Sequence, residues 1–123
     1  MTEKLQDFVK KLCRNGGENE AFAERFLDAL LSDEEISREF TYYMEHQDFA
    51  CVVKVQGYTV VDVMVWQMDH FKARLDRDNT GTRENPARMV LLAFDTLLKM
   101  RKDPEKYVAK MKQETGTDYE GKY

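Results

Sequence analysis

At 123 residues, with 42% hydrophobic residues and seven Phe, the chain is sized for a single domain spanning 1–123. Such a chain buries roughly two-thirds of its unfolded surface, enough for a core without disulfides or metals. The net charge is -4, and it is uneven: residues 1–50 hold 6 Lys/Arg against 12 Asp/Glu, residues 51–123 hold 13 against 11. An acidic front half argues against general nucleic-acid binding, which needs a basic field. No stretch reaches the roughly 18 apolar residues of a membrane span, and MTEKLQDFVKKL carries no signal-peptide apolar block. Cys13 and Cys51 both sit among apolar residues. They read as small buried hydrophobes, reduced in a cytoplasmic protein, more simply than as a disulfide.

The first helix is expected from a Thr2 cap to about Arg14, with Leu5, Phe8, Val9, Leu12 and Cys13 on one face at helical spacing. Asn15, Gly16 and Gly17 end it, since Gly and Asn tolerate the left-handed conformation of a helix C-terminus. A second helix runs from about Asn19 to Leu31, with Phe22, Phe26, Leu27, Leu30 and Leu31 as its stripe. Ser32 with Glu35 has the capping-box spacing and opens a third helix to about His46. Its inner face is Ile36, Phe40, Tyr43 and Met44.

Residues 49–60 change character. Alternation around Val53, Lys54 and Val55 predicts a short strand, and Gln56-Gly57 a turn. Two continuations compete. In the favoured one a helix starts at Thr59, with Asp62 completing a capping box. In the other, Tyr58 to Val60 return as the second arm of a small hairpin.

The helix over 59–76 is the organising element of the sequence. GYTVVDVMVWQMDHFKARL is apolar almost all round its first half, the pattern of a helix enclosed by others. Val60, Val61, Met64, Met68, Phe71 and Leu75 share one broad face, and Asp62, Asp69, Ala73 and Asp76 the opposite one. Residues 77–84, RDNTGTRE, hold no apolar side chain and read as an exposed loop. Asn85-Pro86 starts a fifth helix to about Lys102, with Val90, Leu91, Phe94, Leu97 and Leu98 inward. Asp103-Pro104 repeats the signal for a last helix that stops near Gly116. The expected fold is mostly α, a compact bundle of five or six helices around the helix at 59–76, with at most a short β element near 49–60.

NEAFAERFLDALLSDEE at 19–35, GYTVVDVMVWQMDHFKARLD at 57–76 and ETGTDYEGKY at 114–123 resemble the small transposon-encoded proteins of Gram-positive gut bacteria, carried on conjugative elements. The resemblance implies a mostly helical domain in a mobile-element setting. The family's function is unassigned, and it transfers no site residue.

Two surfaces are candidates. Trp66 falls on the acidic face of its helix with His70 beside it. The bland reading, which is favoured, covers the indole with a neighbouring helix or the tail. The functional one makes it an anchor for a partner, because Trp is enriched among binding hot spots. Leu92 lies at the edge of the polar face formed by Arg88, Asp95 and Lys99, and would extend a Trp66 patch if the fold brought them together. Lys99, Arg101, Lys102, Lys106 and Lys110 form the basic cluster, interrupted by Asp103 and Glu105. Its bland reading is a solvated face favoured by the helix dipole.

His46 is the only other histidine. There is no close Cys pair, whereas zinc normally takes three or four ligands of these types, and neither cysteine lies near a histidine in sequence. No metal, cofactor or catalytic constellation is expected. The expected function is that of a non-enzymatic accessory or adaptor protein of a mobile element, acting through contacts with an unidentified protein partner. A nucleic-acid-associated regulator using the basic C-terminal helices is the alternative, and a small enzyme the third.

Overall fold

The computed structural model describes residues 2–67 and 86–115, and these form six helices with no β-strand among them. Their ends follow from local chemistry. α1 (Thr2–Asn15) includes Thr2 in its first turn, one residue ahead of the expected start. It closes in a Schellman motif: Glu18 N–H donates to Cys13 O at 2.8 Å and Gly17 N–H to Arg14 O at 3.2 Å. Gly17 takes the required left-handed φ of 76°. α2 (Glu20–Leu31) is capped by Asn19, whose Oδ1 accepts from Phe22 N–H at 2.8 Å.

The Ser32–Glu35 capping box does not form. Ser32 closes α2, its hydroxyl donating back to Asp28 O at 2.8 Å. Asp33 opens α3 (Glu34–His46), accepting from Ile36 N–H at 3.1 Å. The corner is two residues long, so Ser32 is still occupied by the helix behind it. The adjacent Asp, equally good as a cap, takes the role.

α4 runs over 60–67 within the described residues. Its capping box is reciprocal: Thr59 N–H donates to Asp62 Oδ2 at 2.9 Å, and Asp62 N–H to Thr59 Oγ1 at 3.1 Å. The competing hairpin does not form: Val60 already belongs to α4, and only a single bridge is made. Val55 and Tyr58 form one antiparallel bridge, closed by Gln56 and Gly57 with φ of 54° and 86°, the two positive values of a type I′ turn. α5 (Pro86–Lys102) and α6 (Pro104–Thr115) complete the bundle, and Asp103 Oδ1 accepts from Lys106 N–H at 3.3 Å at the start of α6. The expected loop at 77–84, the Asn85 cap and the tail beyond Thr115 lie outside the described residues.

The core is aromatic at its centre. Phe40 of α3 packs edge-on against Phe26 of α2 at 5.7 Å and Phe94 of α5 at 4.9 Å, and all three are fully buried. Edge-to-face contacts of this kind add to the burial of the rings. α5 packs against α1, α2, α3 and α6. α4 buries Val60, Val63, Trp66 and Gln67 in its two described turns, one face at helical spacing, while Val61 and Met64, expected inward, are half-buried.

Two further facings differ from expectation. Leu31 is 46% exposed while the adjacent Leu30 is fully buried, so the inward stripe of α2 passes through Phe26 and Leu30 and leaves Leu31 beside it. Asp95 is only 3% exposed. Two cations make that burial tolerable: Arg25 Nη1 reaches Asp95 Oδ1 at 3.2 Å and Lys99 Nζ reaches Oδ2 at 3.1 Å.

Candidate interaction site on the segment between α3 and α4

Glu39 sits on the inner face of α3 beside Phe40 and is 2% exposed. A carboxylate so placed requires donors. They come from three consecutive backbone amides after the helix. Cys51 N–H donates to Oε2 at 3.0 Å, and Val52 and Val53 N–H donate to Oε1 at 3.1 and 3.4 Å. Successive amides can converge on one anion only where the backbone leaves the extended form, making an anion-binding concavity. Cys51 does so, at φ 57°.

The segment thereby takes one orientation. Val53 and Val55 point into the core, while Val52 is 75% exposed and Lys54 is exposed. The alternation seen around 53–55 is real, but it has no partner strand. Phe49 stacks on Tyr43 at 4.9 Å and tethers the start of the segment. Among the described residues, Val52 is the most exposed large hydrophobic side chain. The sequence held a signal for this arrangement that went unread. Glu39 lies three residues after Ile36 and four before Tyr43, on an otherwise apolar stripe.

Neither thiol is primed for chemistry. Burial, then the Glu18 carboxylate, pushes Cys13 up to about 11. Burial is also the first cause raising the Cys51 thiol. The Glu39, Asp62 and Asp48 charges add to it, and a hydrogen bond with Thr59 opposes it. Both cysteines are free and stay protonated at neutral pH. No group of three or more His, Cys, Asp and Glu is arranged to hold a metal ion among the described residues. His46 is exposed and lies against the Tyr42 ring at 4.3 Å.

The sequence candidates are placed differently. Trp66 is 7% exposed, so the covered reading of this residue holds and its indole is not an open anchor. Leu92 is half-buried, and no exposed Trp66–Leu92 patch exists. His70 lies outside the described residues.

In the basic cluster, Lys99 is engaged by Asp95. Arg101 bridges Asp33 at 2.9 Å and Glu35 at 3.2 Å. Lys102 and Lys106 are exposed, and Lys106 lies over the Tyr107 ring at 5.6 Å. The side chain of Lys110 lies outside the described residues. Lys99 and Lys102 also line a cleft of about 390 Å³ between α2 and α5, where Arg25, Asp28 and Asp95 bring charges of both signs. A second cleft, about 280 Å³ between α1 and α2, is lined by Val9, Cys13, Ala23 and Leu27 with a charged rim.

No helix among the described residues is long and apolar enough to cross a membrane. Set against known proteins, the chain matches no family model, no curated protein and no solved structure.

Proposed function

We infer that the chain is a non-enzymatic accessory or adaptor protein that works through protein contacts, and that the contact is made by the segment between α3 and α4 around Val52. The observation supporting this reading is the pairing of a 75% exposed Val52 with a backbone fixed by the buried Glu39. An isolated exposed apolar residue is ordinary. One held on a positioned backbone loses less entropy on binding than one on a loose loop. The setting in a mobile genetic element rests on the sequence resemblance alone.

The ion pairs of Lys99 and Arg101 weigh against the nucleic-acid alternative, since each removes a cation from a free positive surface. The test is affinity capture from a host carrying the element, using wild type and Val52→Glu side by side. The reading expects a protein recovered by the wild type and lost with the variant, at unchanged helical content. Equal recovery by both proteins refutes it.

A further inference from the structure

The groove between α1 and α2 carries opposite charges on its two edges. The helices are joined by the short turn at 16–19, so they run antiparallel. Val9, Cys13, Ala23 and Leu27 form the apolar floor of the cleft of about 280 Å³. Lys10 and Arg14 line it from α1, and Glu20 and Glu24 from α2. Within each pair the residues are about one helical turn apart, and the antiparallel course sets Arg14 level with Glu20 and Lys10 level with Glu24. All four residues are exposed. Among the described residues, none of these four takes part in an ion pair. Glu18, also at the cleft, is by contrast held by Arg88. Leu31 follows Leu27 by four residues, so it continues the floor along α2, and it is 46% exposed.

We propose that this groove is a homodimer interface, occupied by the same groove of a second copy. A two-fold axis lying along the groove turns the partner so that its α1 faces α2 of the first copy and its α2 faces α1. Each residue keeps its level along that axis. Lys10 and Arg14 of each copy then meet Glu24 and Glu20 of the other, while the apolar floors and Leu31 close on one another. An isologous contact needs a surface complementary to itself, and opposite charges on the two edges supply it. An axis across the groove would instead set α1 against α1, and like charge against like. Charge therefore selects one of the two symmetric pairings, an antiparallel four-helix arrangement. The face is two helices wide and about 18 Å long, which places it among the small, weak interfaces. Its dissociation constant should be on the order of 100 μM. None of these residues belongs to the Val52 segment, so the two readings are tested independently.

The experiment is sedimentation equilibrium of the full chain over roughly 10 μM to 1 mM. The wild type should pass from monomer to dimer across this range. Lys10→Glu with Arg14→Glu makes both edges acidic and should raise the dissociation constant at least about tenfold. Adding Glu20→Lys and Glu24→Lys exchanges the edges and restores the net charge. That variant should return to within about threefold of the wild-type dissociation constant. Circular dichroism checks that each variant keeps its helices. Should the variants fail to fold, the amide shifts of the wild type on dilution decide, and they should be confined to α1 and α2. A chain that stays monomeric throughout leaves the groove to another occupant and overturns the proposal. So does a dimer indifferent to the double reversal, a folded variant with exchanged edges that stays monomeric, or dilution shifts centred on α5 or the Val52 segment.

Discussion

Arg101 Nε lies 2.9 Å from Asp33 Oδ2, while the other oxygen of the same carboxylate caps α3 through Ile36 N–H at 3.1 Å. One side chain thus fixes the start of α3 and ties it to the last turn of α5. The exposed Arg101 guanidinium is paired and spans Asp33 and Glu35. This is why a cluster that reads as a positive surface in sequence is only partly one in three dimensions.

The first prediction follows from that tie. Arg101 and Glu35 are substantially solvated, so screening reduces what the pairs contribute. Arg101→Ala should lower the unfolding free energy by about 1 kcal/mol or less in urea denaturation. Lys106→Ala, which breaks no carboxylate pair, should leave it unchanged. A loss at Lys106 larger than at Arg101 would contradict the assignment.

A second prediction concerns the aromatic centre. Phe94 is fully buried against Phe40. Phe94→Ala should cost about 3–5 kcal/mol, because truncation removes packing and leaves a cavity. A loss of urea unfolding free energy below about 1 kcal/mol, the scale of surface changes, would mean the core is misplaced.

The paired glycines should fail for different reasons. A Cβ on Gly16 would lie 3.1 Å from Arg88 N and 3.2 Å from Arg88 Cα, backbone atoms that have little room to yield. Gly16→Ala should therefore cost about 1–3 kcal/mol as overpacking where α1 meets α5. Gly17 has open space but sits at φ 76°. Gly17→Ala should cost about 1 kcal/mol, and Gly17→Asn less, since Asn tolerates the left-handed region. Thermal melts of the three variants separate the two mechanisms. Equal stability for Gly17→Ala and Gly17→Asn would argue against the Schellman ending.

The thiols give a prediction in alkali. The folded state raises Cys13 from 9.0 to about 11, so between those values the native state holds a proton that the unfolded state has released. Stability from this group is complete below pH 9 and is lost as pH rises toward 11. Burial also raises Tyr43, which adds in the same direction. Cys13→Ala should flatten the fall in stability over this window, measured as urea midpoints against pH. A slope identical to wild type would mean Cys13 is not the group responsible. At pH 7.5 both thiols should modify slowly with a thiol reagent until the protein is unfolded.

Much of the bundle was legible because helix signals are local. Asn19, Thr59 with Asp62, Asp103-Pro104 and the Gly16-Gly17 stop all act where the sequence places them. The inward face of α5 was legible for the same reason, since Val90, Leu91, Phe94, Leu97 and Leu98 recur at helical spacing. What failed needed partners distant in sequence. Asp95 reads as surface until Arg25, seventy residues earlier, is brought to it. Glu39 reads as one more charge until amides twelve to fourteen residues on turn back toward it. By contrast, Trp66 stands among acidic residues on its own helix, and the favoured reading that it is covered agrees with its burial. The capping-box error at Ser32 is a shift of one residue between two good caps, which spacing cannot resolve.

The account's central claim is that Glu39 holds the segment in one facing, with Val52 outward. Two adjacent valines test it most directly, through the urea unfolding free energies of Val52→Glu and Val53→Glu. Val52 is 75% exposed and Val53 7%. The account predicts that Val52→Glu stays within about 0.5 kcal/mol of wild type, as surface changes do. Val53→Glu should lose at least about 2 kcal/mol, because it buries an unpaired charge. Equal losses at the two positions, or the larger loss at Val52, would contradict it.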